Sequence, residues 1–147
     1  MKIQPVTNWE VRFTRNRPKV HQPSDLVPIV REAAIGKLTE EHFFVVVLNA
    51  KHDITSITKV AHGTIDACMV HPRECFKLLV TEQAAAWICM HNHPNGDLTF
   101  SFDDKALTTR FDECSKLMGI DLLDHILVAG DEIKSMREHH SEVWSTS

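Results

Sequence analysis

The sequence predicts a single α/β domain in which helices pack on a β-sheet, and three observations carry that expectation. Short apolar runs alternate with amphipathic stretches along the chain, as they do where strands and helices take turns. The run Phe43–Leu48 is apolar at every position, the pattern of a strand covered on both faces. The length of 147 residues fits one domain of the usual size, roughly 150. Hydrophobic residues at 43% and charged ones at 24% exclude a disordered, collagen-like or coiled-coil chain.

Residues 1–23 show no periodicity and hold Pro5, Pro18 and Pro23, so they read as an extended N-terminal arm, with the domain at 24–147. Ser24 opens a helix to about Leu38, with Leu26, Ile29, Val30 and Ala33 on one face. Pro28 is tolerated there because it falls in the first turn, whose N–H groups lack helical partners. Phe43–Leu48 is the buried strand, Ala50 to Asp53 a turn, and Ile54 to Val60 a second strand. Gly63 begins an irregular stretch. Pro72 starts a helix to about Gln83, with Cys75, Leu78 and Leu79 inward. Ala86 to Met90 is a short apolar strand, and His91 to Asp97 is a loop by composition. Ser101 caps a helix whose stripe is Leu107, Phe111, Cys114 and Met118, ending at Gly119. Strands Leu122–Ala129 and Glu132–Met136 are joined through Gly130-Asp131, a hairpin signal.

No run approaches the roughly 20 apolar residues of a membrane helix, and the first residues lack a signal-peptide core, so a cytoplasmic, soluble protein is expected. Cys68, Cys75, Cys89 and Cys114 form no Cys-x-x-Cys pair, which excludes zinc ribbons and thioredoxin-type motifs and leaves buried free thiols. Residues 1–39 carry seven basic and three acidic side chains, a balance of +4, while residues 40–147 carry nine and seventeen, a balance of −8. Arg12, Arg15, Arg17 and Lys19 gather the positive charge into the arm, which suits either plain solvation or contact with DNA or another acidic surface.

His91 and His93 lie two apart at the end of a strand, where side chains at that spacing point the same way. Asp104 lies in the first turn of the next helix and can fold back over the same loop. Two imidazoles and a carboxylate form a three-ligand set with one tetrahedral position open, the arrangement of a catalytic rather than a structural zinc. On spacing alone two plainer readings stay open. His-x-His recurs without metals, and Ser101-Phe-Asp-Asp104 is a capping box that explains both of its ends. The contiguous letters His91-Asn92-His93 do not make an HNH nuclease, whose residues are dispersed along a ββα unit.

His91-x-His93-Pro94, six residues, Ser101, two residues and Asp104 match the JAB/MPN (JAMM) metalloprotease motif at every fixed position. More narrowly, the chain resembles the RadC family of JAB-domain proteins. Gly63-Thr64, His71-Pro-Arg-Glu74, the loop His91 to Gly96 and Gly119 to His125 carry that resemblance, which spans roughly Leu38 to Met136. It implies a single JAB/MPN-like domain with a mixed sheet, zinc held by His91, His93 and Asp104, and a peptidase or isopeptidase acting on peptide or isopeptide-linked protein. It also implies Glu41, ahead of the first long strand, as general acid/base, with Glu40 or Glu74 as alternatives. Ser101 would then donate to the oxyanion. Longer RadC proteins carry a helix-hairpin-helix module, and with only the arm before its first helix this chain resembles the short form found on prophages and mobile elements. The competing reading is a non-catalytic DNA- or protein-interaction module in DNA repair or mobile-element biology. A metal-dependent nuclease is disfavoured, because one zinc lacks the second metal that many nucleases use.

Other polar residues have structural readings. Glu74 fits the positive end of its helix. His125 follows Asp124 on an apolar strand and reads as a satisfied core histidine that the carboxylate can orient. His139 and His140 read as solvated, and Trp144 as a residue that tucks the tail onto the body.

Overall fold

A computed structural model describes residues 10–63 and 70–144. It holds one mixed six-stranded sheet flanked by helices, as the sequence predicts. The strands are β1 (Glu10–Arg12), β2 (Glu41–Leu48), β3 (Ile54–Gly63), β4 (Ala86–Asn92), β5 (Asp121–Ala129) and β6 (Glu132–Ser135). The helices are α1 (Val27–Glu32), α2 (Pro72–Thr81), α3 (Phe102–Met118) and α4 (Met136–His139). The sheet order is β1-β3-β2-β4-β5-β6, with only β4 and β5 parallel. That parallel pair needs a crossover, and α3 supplies it. Among the described residues no helix is long and apolar enough to cross a membrane.

The centre of β2 is buried on both faces because the sheet is covered on both. Phe44, Val46 and Leu48 pack with Ile88, Met90, Ile126 and Val128 against the Leu26, Ile29, Val30 and Ala33 face of the α1 region. Phe43, Val45 and Val47 pack with Trp87, Cys89 and Leu127 against Leu79 of α2 and Leu107 and Phe111 of α3. Alternation along one strand thus feeds two separate cores. Burial pushes the Cys75 thiol up to about 12 and the Cys89 thiol well above its ordinary value, so both are inert apolar filling.

Several boundaries differ from the expectation. The first predicted helix is broken: a 3₁₀ turn over Pro23–Leu26 leads into six-residue α1, which stops before Ala34. Ala34 is left-handed at φ 56°, and a second 3₁₀ turn, Ile35–Lys37, follows. Ser24 is not the cap; the Asp25 carboxylate accepts from the N–H groups of His21 and Gln22 at 2.8 and 3.1 Å. Pro28 does lie in the first turn of α1. In α3 the predicted stripe holds for Leu107 and Phe111, but Cys114 is half-buried and Met118 exposed. The buried line turns instead through Thr108 and Ser115, whose hydroxyl accepts from Trp87 Nε1 at 2.8 Å. Polar groups with buried partners do not register in a hydrophobic pattern. Gly119 ends α3 in the left-handed conformation, φ 70°.

From residue 10 onward the N-terminal segment lies along the sheet edge, with Glu10–Arg12 paired to Ser56–Thr58 of β3 and Phe13 and Val20 buried. Arg12 forms ion pairs with Glu10 and Glu82, Lys19 contacts Asp53 at 2.6 Å, and Arg17 Nε donates to the Phe13 carbonyl at 2.7 Å. Arg15 is exposed. Trp144 packs onto the body and donates from Nε1 to the Leu122 carbonyl at 2.9 Å, as expected. Residues 1–9, the stretch after Gly63 and Cys68 lie outside the described residues.

Gly36 sits where the 3₁₀ turn before β2 backs onto the β5–β6 turn, so a Cβ there would collide with the Gly130 carbonyl. The neighbour is main chain and cannot swing aside. Gly36→Ala is expected to cost about 3 kcal/mol, the upper end of overpacking penalties. Denaturant unfolding should show it as a lowered midpoint at unchanged slope.

Candidate functional site

β4 runs two residues past its apolar stretch, so His91 and Asn92 belong to the strand rather than to the predicted loop. His91 pairs with Phe43 of β2 and Leu127 of β5 and is nearly sealed from solvent. His93 continues the line, its N–H donating to the Val128 carbonyl at 2.9 Å. Strand parity brings both imidazoles to the α3 side, with Nε2 of His91 and Nε2 of His93 3.1 Å apart. Nδ1 of His93 lies 2.8 Å from the Asp97 carbonyl, which can only accept, so the ring proton sits there and Nε2 presents a lone pair.

Asp104 completes the group from the first turn of α3. Its Oδ1 lies 3.4 Å from His91 Nε2 and its Oδ2 3.8 Å from His93 Nε2. Bonds of about 2 Å in a tetrahedron place neighbouring donors about 3.3 Å apart, so these separations suit one small cation. Among the described residues these three side chains form the one cluster of metal-donor type. Ser101 caps α3: its hydroxyl accepts from the Asp104 N–H at 3.0 Å, while Asp104 Oδ2 accepts from the Ser101 N–H at 2.8 Å. Asp104 therefore belongs both to the capping box and to the group with His91 and His93, so the two readings of it do not compete. Burial alone would raise the Asp104 carboxyl. The hydrogen bond with His91 and the Ser101 N–H outweigh it and hold the carboxyl well below the usual carboxylate range.

An open cleft of about 800 Å³ leads to this group, lined by Glu40, Glu41, Gly63, His93, Asn95 and Ser101 among others. Glu41 is the first residue of β2 and lies two before Phe43, so strand alternation turns it to the His91 face. Asn92 fixes the main chain on either side of it: its Oδ1 accepts from the His42 N–H at 2.7 Å and its Nδ2 donates to the Glu40 carbonyl at 3.0 Å. Glu74 is exposed on α2 beside Arg73 and lines no part of the cleft.

A family model described as the RadC-like JAB domain matches residues 20–141. The chain belongs to that family. The RadC-like chain is 42% identical over 131 residues to a protein named UPF0758 from Staphylococcus aureus strain NCTC 8325, covering 86% of this chain and 58% of that one. A UPF0758 protein of the bovine strain RF122 is 40% identical over the same length, with 86% and 55% covered. One from Staphylococcus epidermidis is 36% identical over 125 residues, with 85% and 55% covered. The chain thus spans somewhat more than half the length of the curated relatives it matches.

The place of His125 after Asp124 on an apolar strand predicts a core histidine oriented by that carboxylate; the burial holds, but the partner of the ring differs. His125 is fully buried, but Asp124 Oδ1 accepts from its main-chain N–H at 2.7 Å, not from the ring. The ring instead bridges His91 Nδ1 at 2.7 Å and Thr108 Oγ1 at 2.6 Å. Desolvation by complete burial holds the His125 imidazole well below its ordinary value, hence neutral. Asp124 faces the other way, taking Ser135 Oγ at 2.5 Å and the Arg137 N–H at 3.0 Å, and burial raises it. Thr108 and Asn92 carried no sequence signal beyond their place beside motif residues. His139 is exposed as expected, whereas His140 is half-buried with its ring edge-on to Phe100.

Ser101→Ala removes the acceptor for one unpaired N–H of α3 and should cost ~1 kcal/mol in thermal or denaturant unfolding. Ser101→Asp and Ser101→Asn can still cap and should stay near wild-type stability.

Proposed function

We propose that this RadC-like JAB domain is a zinc-dependent hydrolase of peptide or isopeptide bonds. The observation that carries the reading is the convergence of His91 Nε2, His93 Nε2 and the Asp104 carboxylate beside an open cleft that His93 and Ser101 line. Neutral imidazoles with one carboxylate and an open fourth position suit catalytic zinc, which supplies Lewis acidity and makes water a nucleophile near pH 7. The His-x-His-Pro-x6-Ser-x-x-Asp motif supports the same chemistry.

His91, His93 and Asp104 hold the ion. Glu41, brought to the cleft by β2 and steadied by the Asn92 bracket, takes the proton of the attacking water and returns it to the leaving amine. Ser101 uses its oxygen to cap α3, which leaves its own hydrogen for the substrate oxyanion that forms on attack. The cleft is wide and open, in keeping with a macromolecular chain as substrate. Contact of the Arg12–Lys19 segment with DNA is a separate proposal. Salt-dependent DNA binding that survives loss of His91 would favour an interaction module over the hydrolase.

Metal analysis of the purified protein should find about one zinc per chain, lost in His93→Ala and Asp104→Ala. Stoichiometric metal persisting in a His91→Ala/His93→Ala double variant would refute the site.

Glu41→Gln should keep the zinc and abolish hydrolysis across a panel of peptide and isopeptide conjugates, because the amide is isosteric but cannot take the proton. Ser101→Asp, which still caps, should turn over roughly 10²–10³-fold more slowly at unchanged metal content. Full activity of Glu41→Gln would move the base to Glu40, which also lines the cleft.

A further inference from the structure

Behind the cleft, the packed face between β4, β5 and α3 holds a polar chain that the hydrolytic reading leaves unused. Nδ1 of His91 lies 2.7 Å from Nε2 of His125. Nδ1 of His125 lies 2.6 Å from Thr108 Oγ1, which lies 2.7 Å from the main-chain oxygen of Asp104. The chain therefore leaves one of the three converging side chains and ends on the backbone of another. Both intermediate side chains are wholly buried. Aromatic rings hold the imidazoles in place: Phe43 stacks on His91 at 20°, and Phe43 and Phe100 meet His125 edge-on at 79° and 67°.

Counting hydrogens gives this chain a direction. A carbonyl oxygen only accepts, and a threonine hydroxyl owns a single hydrogen. The contact between Thr108 and Asp104 consumes it. Oγ1 then offers only lone pairs to His125, so the hydrogen of that contact sits on His125 Nδ1. A neutral imidazole carries one such hydrogen, which leaves His125 Nε2 bare and able to accept from His91 Nδ1. His91 is thereby the tautomer with a lone pair on Nε2, the atom 3.1 Å from His93 Nε2 and 3.4 Å from Asp104 Oδ1. The reverse direction would withdraw the hydroxyl from the Asp104 carbonyl, and it would place a hydrogen on the atom that must bind the ion.

We infer that Thr108 and His125 are positioning residues that set the tautomer and ring plane of His91 for metal binding, with the Thr108 hydroxyl giving the chain its direction. The inference rests on the metal-binding reading above. Neither residue lines the cleft, so substrate contacts do not enter. Where the second nitrogen of a ligating histidine loses its partner, metal affinity typically falls about 10–100-fold.

The test compares Thr108→Val with Thr108→Ser in a competition titration of the metal-free protein with Zn²⁺ against a chromophoric chelator. Thr108→Val keeps the volume and loses the hydroxyl, and should bind Zn²⁺ about 10–100-fold more weakly. Thr108→Ser loses a methyl group but keeps the hydroxyl, and should bind close to wild type. A role in packing alone predicts the opposite order. Should the valine variant fail to fold, ¹⁵N NMR of the zinc-loaded wild-type protein reads the chain directly, with His125 expected to carry its hydrogen on Nδ1. Wild-type affinity in Thr108→Val, or the hydrogen on Nε2 of His125, overturns the inference and leaves the metal site standing. Failure of the wild-type protein to bind Zn²⁺ overturns the metal reading and this inference with it.

Discussion

The reciprocal pair between Ser101 and Asp104 is the interaction on which the site depends. One carboxylate serves two ends: Oδ2 receives the Ser101 N–H, while Oδ1 faces His91 across the gap between α3 and β4. A helix start is a natural place for it, because the unpaired N–H groups there favour an anion. The serine gives an oxygen to the Asp104 N–H and keeps a hydrogen for other use. Helix initiation, placement of the Asp104 carboxylate beside the two histidines and the character of the cleft wall are thus one piece of local chemistry, and α3 cannot shift without moving all three.

Much of this was legible in the sequence because it rests on short-range rules. The uniform apolar run of β2, the Pro72 start of α2, the Ser101 cap and the Gly119 stop are each set by neighbouring residues, and the structure has them. The two histidines share a face by strand parity alone. What escaped depends on partners distant in sequence. The break at Ala34 gave no warning, since alanine is a strong helix former, and the Gly36–Gly130 contact that crowds the following turn joins segments far apart. The three residues of β1 form a strand only because β3 offers them an edge. Asn92 looks like a loop asparagine until β4 is seen to continue through it.

The buried face of α3 shows a second limit of pattern reading. Hydrophobic periodicity ranked Cys114 and Met118 as inward, yet Thr108 and Ser115 occupy the interior because each has a partner waiting. A polar group inside a sheet–helix layer costs little when fully hydrogen-bonded and much when not. The layer beneath the cleft accordingly sets a few polar groups with committed hydrogens among apolar ones. Such a layer resists rearrangement better than an apolar one, since any slip orphans several groups at once.

β5 carries an irregularity with a further consequence. Trp87 of β4 pairs with Leu122, but Ile88 pairs with Asp124, so Leu123 is an extra residue that the ladder skips. Leu122 and Leu127 consequently lie on the α3 side together, although five positions separate them, and His125 falls in step with Leu127. In a regular strand running on from Leu122, the imidazole would point toward α1 and a carboxylate would stand behind His91. Descent with insertions and deletions should therefore treat this strand unevenly. A lineage can drop position 123 and straighten the ladder with every later side chain still facing as it does now. Gain or loss of one residue between Asp124 and Leu127 inverts part of the row, and tolerance to length change ends there.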